Sequence, residues 1–101
     1  MLDDEEDRHV IQLESAARIF FEQMATVSEQ IRLGEILRGL TYEPEVDYEL
    51  KHPFNSPPNS VIYYDGEFWI IYEIGGRHSI LALNIGFEEE IPSTERGAPQ
   101  V

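Results

Sequence analysis

The chain has 101 residues and a mass of 11.7 kDa, enough for one domain with a modest core. Apolar residues make up 42% and aromatic residues 11%, too rich for a disordered chain, while the absence of cysteine excludes disulfides, thiolate metal sites and a cysteine nucleophile. Twenty acidic residues against seven basic ones give a net charge of −13, a field that repels phosphate backbones and anionic membranes, so direct nucleic-acid binding is not expected.

The N-terminus opens with Asp3, Asp4, Glu5, Glu6 and Asp7, the opposite of a signal peptide's positive start, and no apolar run is long enough to span a bilayer. A cytoplasmic protein is the expectation. Residues 1–7 read as an acidic tail that frays. From Arg8 to Leu40 there is no proline, and Val10, Leu13, Ala17, Phe20, Met24, Val27 and Ile31 recur at spacings of three and four, one face of a helix. After Ile31 the apolar set shifts to Leu33, Ile36, Leu37 and Leu40. A shift of register signals a break, and Thr26-Val27-Ser28-Glu29 has the form of a capping box. The pattern therefore predicts two helices, about 8–25 and 28–40, packed as a hairpin, the second ended by Pro44.

Residues 42–60 form a proline-rich connector in which Val46 to Leu50 alternate like a short edge segment and Asn55 to Asn59 carry turn chemistry. The clearest zone follows. Val61 to Tyr64, then Asp65-Gly66, then Glu67 to Ile74 read as a hairpin, and Gly75-Gly76 turns the chain into a third strand, His78 to Gly86. Alternation puts Phe68, Ile70, Tyr72 and Ile74 on one face with Leu81, Leu83 and Ile85, facing the helices. Trp69, Ile71, Glu73 and Ile80 fall on the other. An outer face so apolar points to a covered or partner-binding surface, with Trp69, Ile71, Glu73, Ile80 and Phe87 as its candidate residues. Residues 88–101 read as a flexible C-terminal tail. The expected architecture is α+β, a two-helix hairpin on a three- to four-stranded antiparallel sheet over residues 8–87.

Catalytic motifs are sparse. His9, His52 and His78 show no ligand spacing, so no metal and no cofactor are expected. Gly75-Gly76 lacks the further glycines and following helix of a phosphate loop. Tyr63, Tyr64 and Tyr72 read as cross-strand packing, and no catalytic residue is assigned. Lys51, Arg77 and His78 are the only basic features near the sheet and form a candidate residual polar site; for Lys51 the simpler reading is a solvated pair with Glu49.

Helix, helix and a meander whose middle strand reads Gly66-Glu67-Phe68-Trp69-Ile70-Ile71-Tyr72-Glu73-Ile74 and whose last reads His78 to Phe87 resembles the RelE/ParE superfamily of type II toxin–antitoxin toxins. Leu50-Lys51 stands at the family's Leu-Lys position before the sheet. The resemblance implies the fold over about residues 9–87, apart from the short strand that precedes the family's first helix, which is expected here only if residues 9–13 pair instead of coiling. It also implies sheet arginines in the family's ribosome-dependent nucleases; Trp69 stands where the middle-strand arginine falls and Phe87 where the closing one does, while Val61 to Tyr64 supply none. An aromatic ring cannot stabilise a phosphoryl-transfer transition state as a fixed cation does.

The expected function is therefore a RelE/ParE-like toxin component that acts by protein contact rather than RNA cleavage, with a cognate antitoxin, or another protein partner, laying an extended or helical segment over the apolar sheet face. The alternative is an acidic interaction or decoy protein, of a kind a phage could encode, that blocks a basic nucleic-acid-binding site on a partner.

Overall fold

In a computed structural model the described residues are 9–90. The acidic tail and most of the C-terminal tail expected from sequence lie outside them. Strand β1 (Val10–Leu13) is followed by a short helix α1 (Ser15–Ile19), a π-helical turn (Phe20–Met24) and the long helix α2 (Val27–Tyr42). Strands β2 (Lys51–Pro53), β3 (Val61–Tyr64), β4 (Phe68–Ile74) and β5 (Ser79–Phe87) complete a five-stranded sheet in the order β1-β5-β4-β3-β2. The architecture is α+β, with the helices on one face of the sheet. The sheet has five strands rather than three or four and is mixed, because β1 runs parallel to β5 while the other pairs are antiparallel.

The first correction to the sequence reading lies at β1. Val10 and Leu13 continue the helical spacing of the residues after them, yet the segment pairs Val10↔Ser79 through Leu13↔Ala82. The Val10 amide donates to the His78 carbonyl at 2.9 Å, and the Glu14 amide to the Ala82 carbonyl at 2.9 Å. Four residues cannot display a period decisively, and the partner strand lies far along the chain. Ile11 and Leu13 pack on the main core, whereas Val10 and Gln12 are exposed.

Helix α1 buries Ala17, and the turn after it buries Phe20. Bonding here widens to five residues, with the Ala25 amide donating to the Phe20 carbonyl at 3.0 Å. The added residue rotates Met24 off the stripe that Ala17 and Phe20 define, and Met24 ends 55% exposed. The break before α2 is where the sequence places it. Thr26 Oγ1 accepts from the Glu29 amide at 3.2 Å, and Glu29 Oε1 accepts from the Thr26 amide at 2.9 Å. That reciprocal pair satisfies two of the helix's orphan donors. From the new start, Leu33, Leu37, Leu40 and Thr41 face inward and Val27 and Ile31 face out.

The main core joins these helix residues to Val61, Phe68, Ile70, Tyr72, Ile80, Ala82 and Ile85. Burying each large side chain contributes about 1.5–3 kcal/mol. A second correction concerns β5. Ile71 pairs with Asn84 but Tyr72 with Ala82, so Leu83 is an extra residue and side-chain parity inverts across it. Ile80 and Ala82 consequently point inward with Ile85, whereas Leu83 lies on the opposite face, the reverse of what strict alternation predicts for Ile80 and Leu83.

No strand forms over Val46 to Leu50. Asp47 Oδ1 instead accepts from the amides of Glu49, Leu50 and Lys51 at 2.8, 3.0 and 2.9 Å, a tight turn that holds Tyr48 at φ 62°. The turn delivers the chain to β2, and the buried Tyr72 hydroxyl donates to the Pro44 carbonyl at 2.7 Å, tying the connector to the middle of the sheet.

Candidate functional site

The sheet face away from the helices carries a second apolar cluster of Phe54, Ile62, Trp69 and Ile71, flanked by Tyr64 and Leu83. Trp69 pairs across from Gly86, and that glycine is what lets the indole lie against the β5 backbone. Phe54 reaches the same cluster from the loop between β2 and β3. Its amide and that of Asn55 both donate to the Ser60 carbonyl, at 2.9 and 3.2 Å, while Ser60 Oγ donates to Pro57 O at 2.7 Å. Trp69 and Ile71 are thereby only 5% and 6% exposed. The face is a small second core with an apolar margin rather than an open plate. The Trp69 Nε1–H is buried with no acceptor among the described residues.

Of the five residues expected on this face, Trp69, Ile71 and Glu73 lie on it. Ile80 and Phe87 do not. Ile80 is 1% exposed in the main core, and the Phe87 ring packs on the helix side, 4.8 Å from Phe20 and 6.0 Å from Phe68 between centroids. Parity explains both: the bulge at Leu83 turns Ile80 inward, and Phe87, which pairs with Phe68 and lies two residues beyond inward Ile85, faces the helices by simple alternation.

The basic residues Lys51, Arg77 and His78 do not assemble. Lys51 stands opposite Tyr63, whose register runs through Ile70 to Ile85, while His78 lies at the far end of β5 beside β1. Lys51 Nζ donates to the Glu43 carbonyl at 2.7 Å and approaches Asp47 Oδ2 at 3.4 Å, so it caps the negative end of α2 and braces the connector. Its partner is Asp47, not Glu49. His78 sits at φ 51° with its ring 4.5 Å from Tyr42, which also meets His9 at 5.0 Å. Lys51 is the sole lysine or arginine in the five strands, and pairing with Tyr63 puts it on the helix side. The outer face of the strands thus holds no lysine or arginine.

Titratable groups near the β3–β4 turn are engaged structurally. Asp65 Oδ1 accepts from the amides of Glu67 and Phe68 at 2.8 and 3.0 Å, and Oδ2 accepts from the Tyr63 hydroxyl at 2.8 Å. Burial opposes ionisation of Asp65, but these donors outweigh it and hold the carboxyl below its ordinary value. Burial, and then the Asp65 carboxylate, push the Tyr63 phenol well above its own. Arg32 closes the group with a 2.7 Å ion pair to Glu67. Among the described residues, no three His, Cys, Asp or Glu side chains converge as metal ligands, and no helix is long and apolar enough to cross a membrane.

Sequence reasoning missed Phe54, Leu83 and Gly86. Phe54 is a lone aromatic among turn residues, the one signal available; a bulge at Leu83 leaves none.

The helices on one side of this sheet, with a strand before them, define a RelE-like fold. A chain of the RelBE2 toxin–antitoxin complex from Mycobacterium tuberculosis has a similar structure, with a TM-score of 0.63 at 13% identity over 79% of this chain and 98% of that one. The conserved protein HP0894 from Helicobacter pylori is similar with a TM-score of 0.54, again at 13% identity, over 82% of this chain and 98% of its own. No protein-family model matches the sequence, and no curated protein is significantly similar to it. At this identity the likeness concerns the fold.

Proposed function

We propose that this chain is the toxin-type member of a toxin–antitoxin pair and that it works by protein contact rather than by cutting RNA. The observation that carries the reading is the absence of lysine and arginine from the outer sheet face, where Trp69 and Ile71 stand instead. Phosphoryl transfer is accelerated mainly by fixed positive groups around the phosphate, and a strongly acidic chain adds repulsion to that deficit. The fold shared with a chain of a toxin–antitoxin complex supports an antitoxin as the partner. Its segment would cover the margin of the second cluster, contacting Tyr64, Glu73 and Leu83 and continuing the cover that Phe54 already gives Trp69 and Ile71.

The test is co-purification with the product of the adjacent gene. A stable complex that Leu83→Arg and Glu73→Arg weaken, with the free chain's fold unchanged, is the expected result. Ribosome-dependent cleavage of transcripts by the purified chain would overturn the reading, as would a complex indifferent to both substitutions.

A further inference from the structure

We propose that the outer face of α2, with the cleft at its C-terminal end, is a docking groove for a basic amphipathic segment of a partner protein. This surface lies on the helix side of the sheet, opposite Trp69, and the inference does not rest on the antitoxin reading.

Val27, Ile31, Glu35, Gly39 and Glu43 recur every four residues and form one ridge that runs about 24 Å along α2 and its cap. Its first part is apolar and open to solvent: Val27 is 73% exposed and Ile31 60%, with exposed Met24 just ahead of them. The ridge then borders a cleft of about 240 Å³. Ile36, Leu40, Leu50 and Tyr63 give the cleft an apolar lining, and Glu35 and Glu43 stand at its rim. Neither rim carboxylate makes an ion pair or a side-chain hydrogen bond among the described residues. The one ammonium in the cleft, that of Lys51, is committed to the Glu43 carbonyl and to Asp47.

Charge complementarity selects the occupant. A long cationic side chain lays its methylene stem on apolar surface and keeps its head at the edge, which is what Leu50 and Leu40 beneath Glu35 and Glu43 accept. Aliphatic anchors suit the Val27–Ile31 end, and the chain's excess of twenty acidic over seven basic residues steers a basic segment toward it. Gly39 borders the cleft at mid-ridge, and a Cβ built there meets nothing within 4 Å. A side chain at this position starts from open space and occupies the cleft that the partner would enter.

The experiment titrates the isotopically labelled full chain with a leucine–lysine peptide of helical amphipathic pattern, long enough to lie along α2, and with a scrambled peptide of equal charge. Expected are amide shifts confined to residues 24–43, 50 and 51. Gly39→Phe and Glu35→Lys should each weaken binding about tenfold or more, whereas Glu88→Lys, at a carboxylate that meets Tyr64 on the outer sheet face, leaves it unchanged. Equal affinity for the scrambled peptide, shifts spread over the acidic surface, or undiminished binding by a folded Gly39→Phe variant would overturn the proposal. Leu83→Arg should leave this titration untouched, so it separates failure here from failure of the antitoxin reading.

Discussion

The indole of Trp69 lies against the backbone of Gly86 so closely that a Cβ at that glycine would stand 2.6 Å from Cε2 and 2.9 Å from Nε1. Gly86 is therefore required by a neighbour rather than by its own backbone angles. Gly86→Ala must push the ring out of a packed cluster, at a cost of about 1–3 kcal/mol. Trp69→Phe removes a buried N–H that has no acceptor among the described residues, so part of the lost packing is offset. The two changes share one contact and should not add. Denaturant unfolding of the single and double variants is expected to give a coupling of about 1 kcal/mol, with the alanine better tolerated beside phenylalanine.

Tyr72 is fully buried in β4, and its hydroxyl holds the Pro44 carbonyl. Tyr72→Phe leaves that buried carbonyl without its donor and should cost about 1–3 kcal/mol, with faster amide exchange in the connector at residues 45–51. Burial, then the nearby Asp47 and Glu45 carboxylates, drive the Tyr72 phenol well above its ordinary value of 10.0. Tyr63 is shifted the same way. Both hold their protons in the folded chain at a pH where the unfolded chain has released them. The stability they contribute is whole below about pH 10 and is lost as pH rises beyond it. Unfolding followed by circular dichroism should show a steep alkaline decline that Tyr72→Phe makes shallower.

Acid acts through Asp47. Amides of Glu49 and Lys51, then that of Leu50, hold its carboxyl well below the ordinary value of 3.8, although the group is exposed. A carboxyl depressed by folding stabilises the folded state above its unfolded pKa, and that contribution drains away as pH falls below it. Asp47→Ala should reduce the difference in stability between pH 7 and pH 3 and loosen Lys51 from the α2 terminus. Amide exchange at residues 48–51 reads the second effect. Asp47→Asn, which keeps an acceptor oxygen but cannot titrate, should lose the pH dependence as fully as the alanine does while raising amide exchange less.

The parts of this fold legible in the sequence are those whose signal is local. The Thr26–Glu29 capping box forms as its spacing says, and Asp65-Gly66 makes the turn between β3 and β4, with Gly66 at φ 93°. The parts that were not legible depend on distant partners or on a single inserted residue. Val10–Leu13 becomes a strand because β5 offers it an edge, and the helical spacing it shares with Ala17 and Phe20 disguises this. The π turn moves Met24, and the new helix start moves Val27 and Ile31, from an apparent core stripe to the surface. Alternation along β4 puts Trp69 and Ile71 on the outer face as the structure has them, whereas the bulge at Leu83 inverts the first half of β5 and turns Ile80 inward.

Gly34 and Gly39 invert the logic of Gly86. Both lie inside α2, and a Cβ at either position would meet nothing within 4 Å. A glycine inside a helix costs roughly 0.5–1 kcal/mol relative to alanine through the freedom it retains when unfolded, and here no close contact demands it. Gly34→Ala and Gly39→Ala should each raise stability by that amount, shifting the melting temperature upward by about 4–8 °C per kcal/mol for a domain of this size. The two sites are more than a helical turn apart and have no partner in common, so the gains should add. Thermal unfolding of the single and double variants measures this. A loss of stability at either position would mean that the glycine meets a contact in solution that the folded monomer does not contain.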